Sequence, residues 1–127
     1  MRQRLVFALL TLLAAGGVAF AVTASAPPPQ RELTLVARGM AFYLPGDTAP
    51  NPTLVVGRGE RLRLVLRNAD AGMSHDLVVE SLDVATPLLR GAGTEAAIEL
   101  RAPAVPGEHA YVCSTHAAMM RGTLLVR

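Results

Sequence analysis

From Gly57 to Asn68 the chain reads GRGERLRLVLRN, a glycine turn followed by leucines at 62, 64 and 66 with Arg61, Arg63 and Val65 between them. Side chains on a strand alternate between its two faces, so the three leucines share one face. A helix would scatter them around its circumference. Similar short runs recur at Glu32–Arg38, Met40–Leu44, Thr53–Val56, His75–Val79, Glu95–Arg101, His109–Cys113 and Thr123–Val126. Glycine and proline punctuate the gaps, as in Pro45-Gly46-Asp47 and Pro106-Gly107. No segment after residue 30 sustains a helical period. Short strands separated by turn signals predict an all-β chain, folded as an eight-stranded or nearly eight-stranded Greek-key β-sandwich. Ser81 to Gly93 gives no clear signal and reads as loop or short helix. Roughly a hundred residues suffice for one modest sandwich core.

The first thirty residues obey a different rule. Arg2 and Arg4 precede an uncharged run from Leu5 to Ala26. A positive start followed by an apolar stretch is the pattern of an export signal. The run is also long enough to span a bilayer if it is not cut. Ala24-Ser25-Ala26 offers small residues for cleavage, but Pro27 follows directly, which favours a cut after Ala24 or Ala21. The expected organisation is therefore residues 1–26 as signal peptide or membrane anchor, 27–31 as a proline-rich linker and 32–127 as the folded domain. Either fate of the leader puts that domain outside the cytoplasmic membrane, in the periplasm or its equivalent.

Without the leader's two arginines, the formal charge of +2 falls to zero, with ten arginines against ten acids. Lysine is absent, and aromatic residues make up 4% of the chain. With no basic tract and few stacking rings, nucleic-acid binding is not expected. A single cysteine cannot form an internal disulfide. In an exported chain it is buried, reactive or a metal ligand.

That cysteine lies in YVCSTHAAMMRG, Tyr111 to Gly122. Cys113 and His116 are spaced C-x-x-H, and at a strand end this spacing can turn both toward one point. Met119 and Met120 follow within reach. A second histidine must come from elsewhere, and His75 opens a strand after a glycine-containing turn. Two histidines, one cysteine and a weakly held methionine are the donor set of an electron-transfer copper site. Thiolate and thioether are soft and suit Cu(I), while imidazole serves both oxidation states.

The order of these motifs resembles the cupredoxins, the family of small blue copper proteins. PGEHAYVCSTHAAMMRGTLLV resembles the family's closing pattern of Pro-Gly, Tyr-x-Cys-x-x-His, Met-x-Gly and a last strand. RNADAGMSHDLVV resembles the turn and strand that carry the first histidine. VVGRGERLRLVLRN resembles the preceding strand, and GMAFYLPGDTAPNPTLVV the N-terminal hairpin. The resemblance implies His75, Cys113 and His116 as ligands of one type 1 copper ion. For the axial methionine, one loop length found in the family selects Met119, whereas Met-x-Gly selects Met120. The Leu124 and Val126 alternation favours Met120. The residue after the first histidine is commonly asparagine in the family. Here it is Asp76, with Ser114 as its expected partner.

The resemblance further implies a monomeric, non-enzymatic shuttle that takes single electrons from a redox-protein donor to an acceptor. Docking would be transient and centred on His116, Ala117, Ala118 and Met119. A periplasmic copper carrier or sensor is the competing reading, and a module tethered to a membrane oxidase by an uncut Leu5–Val22 helix is a third. A Cys–His hydrolase is disfavoured, since Cys113 and His116 sit too close in sequence to flank a cleft. Zinc takes thioether poorly. A binuclear copper centre needs two cysteines. His109, on the same strand face as Tyr111 and Cys113, reads as structural, and Met40 and Met73 as packing residues.

Overall fold

A computed structural model describes residues 25–27 and 29–127. The expected leader, residues 1–24 of it, lies outside the described residues. No helix among the described residues is long and apolar enough to cross a membrane. In chain order the strands are β1 (Arg31–Arg38), β2 (Ala41–Tyr43), β3 (Thr53–Val56), β4 (Arg61–Asn68), β5 (Ser74–His75) and β6 (Val78–Val79). They continue with β7 (Val84–Ala85), β8 (Leu89–Arg90), β9 (Glu95–Arg101), β10 (Gly107–Val112) and β11 (Arg121–Val126).

The leucines of β4 do what their spacing predicts: Leu62, Leu64 and Leu66 are all fully buried. β4 is central in a four-stranded sheet ordered β2-β1-β4-β9, parallel to β1 and antiparallel to β9. A second sheet is ordered β3-β11-β10-β6-β7, and β5 pairs separately with β8. Inward residues of both large sheets form one core. Leu35, Leu64, Ile98 and Leu100 come from the first sheet, and Leu54, Val56, Leu124 and Val126 from the second. Phe42 of β2 meets Tyr111 of β10 edge-on, with ring centroids 5.4 Å apart. The outer face of the first sheet carries the ion pairs Arg63–Glu32 and Arg67–Glu95. Both are exposed, and pairs of that kind contribute about 0–1 kcal/mol each.

Several boundaries differ from the sequence expectation. His75–Val79 is not one strand. Asp76 turns its carboxylate to Ser114, while Leu77 exchanges hydrogen bonds with Thr86 instead of a neighbouring strand, its N–H donating to Thr86 Oγ1 and its carbonyl accepting from Thr86 N–H. This break separates β5 from β6. Ser81–Gly93 holds the end of a 3₁₀ turn (Glu80–Leu82), then β7 and β8, each too short to show alternation. These pieces account for eleven strands among the described residues where eight were expected. Met40 does not begin a strand. Gly39 (φ 54°) and Met40 (φ 62°) form a tight turn with two left-handed residues, a geometry that matches the twist of β1 and β2. Cys113 lies one residue past the end of β10.

Candidate metal centre

The two ends of the site are delivered by different strands. β10 runs up to Cys113, the chain makes a 3₁₀ turn over Ser114–His116, and β11 starts at Arg121. The intervening loop is closed by its own backbone. His116 N–H donates to Cys113 O (3.1 Å), Met120 N–H to His116 O (2.8 Å) and Cys113 N–H to Met120 O (3.1 Å). Cys113 and Met120 are fully buried by this closure, whereas Met119 is 59% exposed. Across the sandwich, β5 ends in His75, also fully buried.

These elements converge. Cys113 Sγ lies 3.8 Å from His75 Nδ1 and 3.6 Å from His116 Nδ1. The three donor atoms all fall within 4.8 Å of one another. Metal–nitrogen and metal–thiolate bonds run about 2.0–2.3 Å, so donors sharing one ion sit roughly 3.5–4 Å apart. The separations from sulfur meet that requirement. The imidazole rings lie 5.3 Å apart at a 53° tilt. Each turns Nδ1 toward the sulfur, leaving the opposite ring edge for other partners. The sequence reading thus named three residues that the fold brings together.

The surrounding side chains fix this geometry. Asp76 is 8% exposed, and its carboxylate accepts from Ser114 N–H (2.6 Å) and Ser114 Oγ–H (2.5 Å), pinning the residue after the cysteine. This is the contact expected between them. Three other neighbours were not foreseen. Thr115 Oγ1 lies 3.3 Å from Sγ and 3.1 Å from His116 Nδ1. Asp70 Oδ2 lies 2.8 Å from His75 Nε2. Asn51, at φ 51°, exchanges hydrogen bonds with the backbone of Phe42 and donates from Nδ2 to Met119 O (3.0 Å). A histidine preceded by an Asx-rich turn was the available signal for Asp70. For Asn51 there was none, because its partner lies 68 residues away.

His109 is half-buried and meets Ser81 Oγ through Nδ1 at 2.8 Å, away from the cluster. Met73 is partly buried, and Met40, in the β1–β2 turn, is 36% exposed. Among the described residues no buried side-chain nitrogen or oxygen lacks a hydrogen-bond partner. Burial of the Tyr111 phenol pushes its pKa well above the usual range, so it stays a donor, here to Pro52 O.

No protein-family model and no curated protein matches the chain. Solved structures do. Auracyanin from the photosynthetic bacterium Roseiflexus castenholzii is 19% identical, with 76% of this chain and 96% of that one aligned at a TM-score of 0.59. Rusticyanin from Thiobacillus ferrooxidans is 20% identical, with 77% of each chain aligned at 0.54. A chain of a heme-copper terminal oxidase dimer is 17% identical, with 77% of this chain and 64% of that one aligned at 0.61. The chain has the cupredoxin fold, and its histidine–cysteine–histidine cluster fits one type 1 copper ion.

Proposed function

We propose that this protein is a one-electron carrier that works outside the cytoplasmic membrane, with His75, Cys113, His116 and Met120 as the ligands of one copper ion. The observation that carries the reading is the convergence of two Nδ1 atoms on one buried thiol. Copper held there would supply a one-electron couple. The surrounding residues would hold the donor atoms in one arrangement. Asp76 and Ser114 fix the cysteine end, and the closed 113–120 loop seals it from water. Met120 would be the fourth ligand in this reading, favoured over Met119 because it is fully buried while Met119 is 59% exposed. Burial of Cys113 and His75 also argues against a carrier that hands the ion on, because exchange needs an open site.

His116 is partly exposed, and Ala117, Ala118 and Met119 beside it are exposed. They form a small apolar surface suited to brief encounters. Ala118→Glu is expected to slow electron self-exchange, because two copies would meet with like charges at the contact. NMR line broadening in mixed oxidation states measures this, and an unchanged rate would argue against docking there. Asp76→Asn is expected to raise the reduction potential, since a buried negative charge beside the centre favours the more positive ion. Voltammetry showing no rise would remove that role.

The likeness to an oxidase chain supports a second reading, in which the same carrier domain stays tethered to the membrane through residues 1–26. The N-terminus of the purified protein decides it: a start near residue 22 or 25 means release, and an intact Met1 means a tether.

A further inference from the structure

We propose that Asp70 is the positioning residue for His75, fixing its ring orientation and tautomer and tying them to the turn between β1 and β2. The proposal rests on the copper reading above for its purpose but on separate atoms for its geometry. His75 is fully buried, so neither ring nitrogen can be satisfied by bulk water. Nδ1 faces the Cys113 sulfur, and Nε2 lies 2.8 Å from Asp70 Oδ2. That oxygen already accepts Gly39 N–H, so toward the ring it serves as an acceptor, which places the proton on Nε2 and leaves Nδ1 to present its lone pair to the cluster.

The carboxylate is itself held in place. The same Oδ2 accepts Gly39 N–H at 2.8 Å. Asp70 N–H donates to Asn68 Oδ1 (2.8 Å), the side chain that ends β4. Asn68 is fully buried, and its Nδ2 donates to Met73 O (2.9 Å) and Leu89 O (3.2 Å), the carbonyls flanking β5 and on β8. Asp70 is thus braced on the rigid end of a central strand, with one oxygen shared between the imidazole and the turn. That turn contains two left-handed residues, Gly39 and Met40. The shared oxygen gives the turn and the buried ring a common anchor. Loss of a carboxylate behind a metal-bound histidine costs about 10–100-fold in metal affinity in comparable sites.

The test uses the full-length protein and the variants Asp70→Ala and Asp70→Asn. In the metal-free wild type, ¹⁵N NMR of His75 should show the proton on Nε2. Asp70→Ala should mix the tautomers, speed amide exchange at Gly39 and weaken Cu(II) binding about 10–100-fold. Asp70→Asn keeps an accepting oxygen. It should retain the tautomer, bind copper more tightly than the alanine variant and show a raised reduction potential from the lost negative charge. A wild-type proton on Nδ1 overturns the proposal even if the alanine variant does not fold. So does an alanine variant with an unchanged tautomer and copper affinity within twofold of wild type. If the wild type shows the Nε2 proton yet binds no copper, the copper reading fails and the positioning of His75 by Asp70 stands.

Discussion

Gly122→Ala is expected to destabilise the protein by at least about 3 kcal/mol, the upper end of ordinary overpacking costs. Gly122 and Tyr111 are directly opposed in the antiparallel pairing of β11 and β10. The tyrosine ring lies across the glycine, so an added Cβ would fall inside the contact radius of Cζ and Oη and 2.6 Å from Cε1. The ring has nowhere to retreat. It is fully buried, its edge meets Phe42, and its hydroxyl donates to Pro52 O. In a domain of this size the loss should lower Tm by more than about 12 °C. The clash also predicts non-additivity: Tyr111→Val should recover part of the loss in the alanine background, although alone it destabilises. Thermal unfolding of the four proteins measures both effects. A loss under about 1 kcal/mol, or simple additivity, would mean that the strands accommodate the methyl group.

Cys113→Ser should leave the fold nearly intact and remove the centre. The replacement is close to isosteric. A hydroxyl in place of the buried thiol keeps a polar neighbour in Thr115 Oγ1. What is lost is the soft donor to which both Nδ1 atoms turn. Removing a partner behind a ligand already costs about 10–100-fold in affinity, so removing the thiolate itself should cost more than about 100-fold for Cu(I). Competition with a chromophoric Cu(I) chelator measures this. A serine variant that holds Cu(I) within tenfold of wild type would place the metal elsewhere.

The parts of this molecule that were legible in the sequence are those governed by local periodicity and by short spacing. Leu62, Leu64 and Leu66 alternate with arginines because one face of β4 meets the core, and all three are buried. Cys113, His116 and Met120 lie within one closed loop, so their proximity needed no knowledge of the rest of the fold. His75 was reachable because it follows a glycine-containing turn, although it closes β5 and does not open a strand. What stayed hidden depends on contacts distant in the chain. Asn51 and Met119 are brought together only when the segment before β3 lies against the 113–120 loop. The break between β5 and β6 follows from Thr86 taking over the hydrogen bonds of Leu77, which alternation cannot reveal. β7 and β8 have two residues each, too few to register a period. The left-handed Met40 inverted expectation most directly, since a hydrophobic residue before Ala-Phe-Tyr reads as strand but serves in a turn.

In the proposed function His75, Cys113, His116 and Met120 hold one redox-active copper ion. The most direct measurement is a Cu(II) titration of the purified protein followed by its visible spectrum, with ascorbate added at the end point. An intense blue or green band is expected, saturating at one copper per chain, bleaching with ascorbate and returning on reoxidation. A protein that stays colourless with Cu(II), or that binds Cu(I) only loosely and exchangeably, would contradict it.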